Sequence, residues 1–268
     1  MNTLPFEFCD SVISTIDKLC HLRELVPTLC PRSCQTWKSV IQDHVSNRRD
    51  IDAIWFGRNN LNSLAELKRI KNKHLRIQQI TWSGESLSTT DIEVLKYVKQ
   101  VGQCSALWMN NNSGTPTSEE KASLTECLKN ILFTEIILNR PYETVLRHQA
   151  QSKIVRHFVL SGDGWSKEMQ PVVEEILLTS PIEYASICKS FVFEKDFVEK
   201  LFDVPCLTGG KSFWIYSENL EEFRDFRSNL LVDKSVDCVI WRREDGVEVS
   251  MKFTPGGSTC FEFSKSSD

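Results

Sequence analysis

The chain has 268 residues, of which 41% are apolar, 10% aromatic and 25% charged, and this composition is typical of globular proteins with a substantial core. The net charge of −4 and an isoelectric point near 5.8 argue against a nucleic-acid binder. No apolar run reaches the roughly 18 residues that a membrane span needs, and the first residues lack the pattern of a secretory signal. We therefore expect a cytoplasmic or nuclear protein with neither nucleic acid nor membrane among its partners.

Residues 1–48 predict a small helical module. Apolar residues recur on one helical face within residues 4–20, and prolines at positions 27 and 31 then interrupt the pattern. Trp37, Ile41 and His44 lie on one face of a second predicted helix, at positions i, i+4 and i+7. A polar break over residues 47–50 separates this module from the next region.

Residues 51–235 carry a short apolar pattern that returns six times, most copies being followed by an amphipathic helix. The copies begin 26, 27, 29, 22 and 33 residues apart. Each copy has apolar residues at its first, fourth and sixth positions, which are Ile51-Ile54-Phe56, Ile77-Ile80-Trp82, Cys104-Leu107-Met109, Phe133-Ile136-Leu138, Val155-Phe158-Leu160 and Cys188-Phe191-Phe193. This periodicity is typical of a stacked strand-helix repeat with leucine-rich-repeat spacing.

Two further signals bear on this repeat. Asn or Asp falls three residues past four of the copies, at Asn59, Asn112, Asp163 and Asp196, where a side-chain amide could bond to a neighbouring turn. Capping boxes are predicted at Thr90-x-x-Glu93 and Thr117-x-x-Glu120. The alternative is an ordinary open α/β sheet, in which the strand order reverses and leaves a crevice.

Residues 236–268 predict a strand and a hairpin that close the sheet. Glu244-Asp245-Gly246 supplies a turn, and apolar residues alternate from Val247 to Phe253 as in a half-buried strand. The predicted fold class is therefore α/β: a small N-terminal helical module, a leucine-rich-repeat-like strand-helix repeat with a mainly parallel sheet, and a C-terminal β-hairpin.

Motifs for catalysis, cofactors and metals do not stand out. The cysteines and histidines at positions 20, 21, 30, 34 and 44 are spaced more widely than usual zinc-ligand pairs, and Gly209-Gly210-Lys211-Ser212 lacks the first glycine of a phosphate-binding loop. We expect no catalytic residue, no metal, no cofactor and no enzymatic activity. The alternative is a hydrolase or transferase whose convergent groups line a pocket at the carboxyl ends of the strands.

The positions between the apolar residues of each copy predict an exposed face on the sheet, because strand side chains alternate. The fifth positions of the six copies carry Trp55, Thr81, Trp108, Ile137, Val159 and Val192. Exposed tryptophan is favoured at partner-binding hot spots. The residues predicted to bind a protein target are Trp55, Gln79, Trp108, Glu135, His157 and Lys189. In the alternative, helices cover both faces of the sheet and these positions belong to the core.

Two segments resemble a known family. Leu4-Pro5-Phe6-Glu7-Phe8 and the later Cys34-x-x-Trp37-x-x-x-Ile41 resemble a divergent F-box, and Val239-Ile240-Trp241-Arg242-Arg243-Glu244-Asp245-Gly246 is similar to the ending of F-box-associated families that are abundant in nematodes. The resemblance implies that a linker subunit of a ubiquitin ligase binds the N-terminal module. The residues it implies for this contact are Leu4, Pro5, Phe8, Trp37 and Ile41.

Together these signals predict a protein-interaction adaptor. The resemblance implies that it is the substrate-recognition subunit of a cullin-type ubiquitin ligase, with the repeat face holding an unknown protein target. The alternative is a stand-alone interaction scaffold whose F-box has decayed and which has no part in a ligase.

Overall fold

The computed structural model describes residue 9 and the ranges 35–56, 64–69, 74–82, 87–101, 104–110, 117–129, 131–204, 211–216, 228–234, 238–253 and 258–265. The chain is α/β, and the described residues form seven α-helices and twelve β-strands. Most strand pairs are parallel, and antiparallel pairs follow near the C terminus. None of the described helices has the length and apolar character needed to cross a membrane.

The chain divides into two compact units. The first consists of Met1–Ser105 and Ser113–Ile131, and the second of Ala106–Asn112 and Leu132–Asp268.

The first unit contains four described helices and three strands. The helices are α1 Gln35–Asn47, α2 Leu64–Arg69, α3 Thr89–Val101 and α4 Ser118–Leu128. The strands are β1 Arg49–Ile51, β2 Ile54–Phe56 and β3 Leu75–Trp82, and both short strands pair in parallel with β3. Helix α1 confirms the helix predicted around Trp37, and its Val40, Ile41 and His44 are buried.

The second unit contains the regular part of the repeat. Strand β4 Cys104–Met109, from Ala106 onwards, is followed by β5 Glu135–Leu138, β6 His157–Leu160, β7 Tyr184–Ile187 and β8 Lys211–Tyr216. Helices α5 Glu143–Ser152, α6 Gln170–Thr179 and α7 Lys195–Phe202 alternate with these strands. The five strands pair in parallel in chain order. This order confirms the stacked strand-helix repeat for these strands, where an open α/β sheet would show a reversal.

The end of the second unit is antiparallel, as predicted. Strands β9 Leu231–Lys234, β10 Cys238–Arg242, β11 Val247–Phe253 and β12 Ser258–Lys265 continue from β8 in the order β8-β12-β11-β10-β9. The β10–β11 turn contains Gly246 at φ +79°, a left-handed conformation that glycine adopts without steric cost. The Gly246 N–H donates to the Arg243 carbonyl at 3.0 Å and closes the predicted hairpin.

The sixth copy of the apolar pattern is wrong in position. The strand is Tyr184–Ile187, and the buried residues Ile182, just before it, and Ala185 and Ile187, within it, form the same pattern six residues before the predicted copy. The interval from the preceding copy, which begins at Val155, is then 27 residues. Phe191 and Phe193 are buried in the segment that follows the strand, and the Phe193 N–H donates to the Tyr216 carbonyl at 3.0 Å.

Two local predictions are shifted along the chain. Helix α3 is capped by Ser88 and Asp91, whose side chains each accept a hydrogen bond from the other's backbone N–H, at 3.1 and 2.8 Å, so the capping box lies two residues before the predicted Thr90. The amide contact between strand ends joins Asn139 Nδ2 to Asn110 Oδ1 at 2.8 Å. Both asparagines directly follow their strands, whereas the predicted positions lie three residues beyond the apolar pattern.

Candidate functional site

The candidate site is the solvent-exposed side of strands β4 to β8 in the second unit, which we call the open face. The strand register places side chains of five strands in two rows across it. One row holds Trp108, Ile137, Val159, Ser186 and Trp214, and the other holds Glu135, His157, Tyr184 and Ser212.

The two sides of these strands differ sharply in exposure. Leu107, Ile136, Phe158, Ala185 and Phe213, which alternate with the residues of the open face, are fully buried. Trp108 and Trp214 are each 37% exposed and Tyr184 is 40% exposed. Covering both sides with helices would bury these rings, so that alternative is wrong for these strands. An exposed aromatic cluster on an ordered sheet is typical of a surface that binds a partner.

A polar chain runs beside the aromatic residues. The indole Nε1 of Trp108 donates to Oε1 of Glu135 at 2.8 Å, and the other Glu135 oxygen lies 3.6 Å from Nδ1 of His157. On its other side, Nε2 of His157 lies 3.4 Å from Oε2 of Glu183. The second Glu183 oxygen is 3.5 Å from Arg156 NH1. The imidazole therefore lies between two carboxylates at the surface.

The predicted target residues fall into three groups. Trp108, Glu135 and His157 lie together on the open face, in direct contact through the polar chain. Lys189 does not belong to it, because the strand ends at Ile187 and Lys189 lies in the following turn. That prediction is wrong for the same reason as the sixth copy. In the strand that the structure shows, Tyr184 lies in one row with Glu135 and His157.

The other two predicted target residues lie in the first unit. Trp55 pairs in register with Thr81 on β3, and its side chain is exposed. Gln79 lies on the same strand as Thr81, and its Nε2 donates to the Thr81 hydroxyl at 2.5 Å. An exposed tryptophan beside a polar strand residue is thus present in each unit.

The residues implied for linker binding are described only in part. Leu4, Pro5 and Phe8 lie outside the described residues. Trp37 is half-buried on α1, and Ile41 is 1% exposed and packs in the core of the first unit.

Sequence reasoning missed Tyr184 and Trp214. For Trp214, the alternation of Phe213, Trp214 and Ile215 was the available signal, since buried neighbours on both sides direct the residue between them to the opposite side. For Tyr184, the signal was obscured because Ala185 is a weak apolar marker and two strong ones, Phe191 and Phe193, follow soon after it.

The described residues hold no group of three histidine, cysteine or acidic side chains placed to bind a metal ion. The thiol of Cys260, next to Trp214 in register, is buried, and this burial raises its pKa to about 11, with a smaller contribution from Glu262. A thiol with this pKa is protonated at neutral pH and therefore a poor nucleophile.

One cavity, of about 290 Å³, lies between the end of α7 and the β10–β11 turn. Its lining residues are Phe202, Asp203, Leu230, Arg243, Glu244 and Asp245. The Arg243 guanidinium donates to Asp245 at 2.7 Å and to the Val204 carbonyl at 3.3 Å, and these bonds hold the turn against the helix end. The arginine therefore has a structural role in this turn.

Comparison of the sequence with protein-family models and with curated proteins gives no match.

Proposed function

We propose that this chain is a protein-interaction adaptor that holds a partner protein on its open face. The observation that carries the proposal is the presence of three exposed rings, Trp108, Tyr184 and Trp214, on one side of strands whose other side is buried. Large rings on a rigid sheet lose little conformational entropy when they are covered, and they bury a large apolar area. A regular strand-helix repeat presents a broad surface of this kind.

The resemblance of the N-terminal segments to an F-box supports a more specific form of the proposal. In this form the adaptor is the substrate-recognition subunit of a cullin-type ubiquitin ligase, and the linker subunit binds the segment that includes Leu4, Pro5 and Trp37. Binding of the linker subunit by the intact chain would be reduced strongly by the combined change of Leu4→Ala, Pro5→Ala and Trp37→Ala. Equal recovery of the linker subunit by both chains, or recovery by neither, would count against the ligase role.

The second form is a stand-alone scaffold without a linker subunit. It is favoured by the burial of Ile41, because a residue that packs in the core is not available to a partner unless α1 moves. Both forms use the open face to hold a partner protein, and they differ only in the result that they predict for the linker-binding experiment.

Partner capture by the open face is tested by affinity purification from cells that express the protein. Intact chain, the double variant Trp108→Ala with Trp214→Ala, and the control Leu132→Ala are compared by quantitative mass spectrometry. Leu132 is an exposed large apolar residue outside the open face, so it controls for a general loss of surface hydrophobicity. Proteins recovered with the intact chain and the control but lost with the double variant support the proposal. An unchanged set of proteins contradicts it.

A further inference from the structure

We propose that the open face recognises a basic segment of its partner protein, in which one lysine or arginine side chain rests on the Trp108 ring beside Glu135 and a second pairs with Glu183. This inference rests on the proposed function and names the chemistry of the partner. It follows from the charge of the second unit, the hydrogen bond that holds the Trp108 indole at Glu135, and the exposure of Glu183.

The charge of the second unit favours a cationic partner. Its sequence contains 16 lysine and arginine residues against 22 aspartate and glutamate residues, a net charge of −6 with histidine neutral. The first unit has the opposite sign, with 16 basic and 14 acidic residues. A net negative charge on this unit attracts basic segments and repels acidic ones during diffusional encounter.

The hydrogen bond between Trp108 and Glu135 prepares a place for a cation. It occupies the indole N–H and fixes the ring next to the carboxylate, while the ring itself remains 37% exposed. The face of an indole attracts lysine and arginine through its quadrupole, and tryptophan does so most strongly among the aromatic residues. A cation on this ring also comes within reach of Glu135, so ring and carboxylate act on the same charge.

The second carboxylate is available because its present partners hold it loosely. The Arg156–Glu183 and His157–Glu183 contacts are 3.5 and 3.4 Å long, and all three side chains are exposed. Solvent screens such pairs, and they contribute little to stability. A basic residue of the partner can therefore replace Arg156 at Glu183, because breaking the Arg156–Glu183 pair costs little free energy.

The apolar row adds a second requirement on the partner. Ile137 and Val159 lie between Trp108 and Trp214, which are four strand steps or about 19 Å apart across the sheet. An α-helix with its side chains is about 10 to 12 Å wide, so one helix fits between the two rings. A partner segment that contacts both rows of the open face therefore has apolar residues on one side, against Ile137 and Val159, and lysine or arginine residues beside them, against the carboxylates.

A peptide selection tests this inference. A library of random twelve-residue peptides displayed on phage is selected on the full chain, and the affinities of the selected peptides are measured by isothermal titration calorimetry. The measurements are repeated with Trp108→Ala, with Glu135→Gln plus Glu183→Gln, and with Glu175→Gln as a control. Glu175 is an exposed carboxylate on α6, outside the open face.

We expect the selected peptides to be enriched in lysine and arginine. The double glutamine variant should weaken their binding by about tenfold or more, Trp108→Ala should weaken it similarly, and Glu175→Gln should leave it unchanged. Peptides that depend on Trp108 but show no basic enrichment and no effect of the glutamine changes would overturn the inference and leave the proposed function standing. Peptides that are indifferent to Trp108, or the absence of any binder, would overturn both.

Discussion

The indole N–H of Trp108 on β4 donates a 2.8 Å hydrogen bond to Glu135, the diagonal neighbour of Trp108 on β5. The bond satisfies the only donor of the side chain and leaves the apolar ring toward solvent. The sheet thus presents an aromatic surface in a fixed orientation.

This relationship predicts a specific response of the indole N–H. In Glu135→Ala the acceptor is lost, and we expect the Trp108 indole proton to exchange with solvent several-fold faster and its NMR resonance to move upfield. Glu135→Gln keeps a carbonyl oxygen in place and should preserve both properties. If the alanine and glutamine variants gave the same indole spectrum as the parent protein, the hydrogen bond would not exist in solution.

Trp108 is expected to contribute more to binding than to folding. We predict that Trp108→Ala lowers the free energy of unfolding by about 1 to 2 kcal/mol, because the side chain is 37% exposed and its removal leaves no enclosed cavity. Trp241→Ala, in the core of the same unit, should lower it by about 3 to 5 kcal/mol through a lost side chain and a cavity. Urea unfolding measures both, and similar losses for the two variants would show that Trp108 is covered.

Gly162 and Gly246 form a matched pair of sites that tests how closely the backbone at Gly162 approaches another loop. Both have positive φ, at +74° and +79°, so alanine is strained at either position. A Cβ on Gly162 would also lie 2.2 Å from the Asn139 carbonyl oxygen, whereas a Cβ on Gly246 meets nothing within 4 Å. We expect Gly246→Ala to cost about 1 kcal/mol and Gly162→Ala clearly more. If chemical unfolding showed equal losses of unfolding free energy for the two variants, the close approach of Gly162 to Asn139 would be contradicted.

Gln149 is a buried polar residue with a structural role. Its Oε1 accepts a 3.0 Å hydrogen bond from the buried Phe133 N–H, just before β5. Gln149→Ala leaves this donor without an acceptor and should cost about 1 to 3 kcal/mol of unfolding free energy. Gln151→Ala, on the exposed side of the same helix, is the control and should change stability by less than about 0.5 kcal/mol. Thermal or urea unfolding distinguishes the two.

Cys260 predicts a loss of stability at alkaline pH. Its pKa is about 11 in the folded chain, against an ordinary value of 9.0 for a thiol, because burial disfavours the thiolate. The unfolded chain releases this proton first, so the contribution of Cys260 is fully present below pH 9 and is lost as the pH rises toward 11. The loss at pH 11 is about 2 kcal/mol relative to pH 8, because each pKa unit is worth about 1.36 kcal/mol and the folded thiol is itself half-ionised at that pH.

The variant Cys260→Ala provides the control for this pH dependence. It has no proton to release, and the fall in unfolding free energy between pH 9 and 11 should be correspondingly smaller. A parent protein and variant with parallel pH profiles would show that the thiol does not titrate differently on folding.

The local sequence predicted much of this fold because strand and helix signals are short-range. The copies of the apolar pattern that begin at Phe133 and Val155 each lead into a strand, and the turn at Gly246 follows from a requirement of the backbone at a single residue. The positions of Trp108, Glu135 and His157 on one side of the sheet followed from strand alternation together with correct strand assignment. These inferences need only the residues within one repeat.

The position of strand β7, which belongs to the sixth copy of the apolar pattern, could be assigned only from the tertiary structure. Residues 182–193 contain two apolar patterns in succession, and local sequence favours the second because Phe191 and Phe193 are larger than Ala185. The sheet selects the first, because pairing with both β6 and β8 requires a strand at Tyr184–Ile187. Lys189 was lost from the site, and Tyr184 gained, through this selection alone.

Local sequence is enough to infer the strand-helix alternation, the hairpin near the C terminus and the side of each correctly assigned strand that carries polar or aromatic residues, since these depend on periodicity and turn chemistry. The folded structure was needed to show which side of the sheet is covered and which carboxylates contact His157. Those outcomes depend on where helices pack and on contacts between residues that are tens of positions apart, as Glu135 and Glu183 are. Periodicity carries no information about such distances, because residues of different repeats become neighbours only when the strands pair.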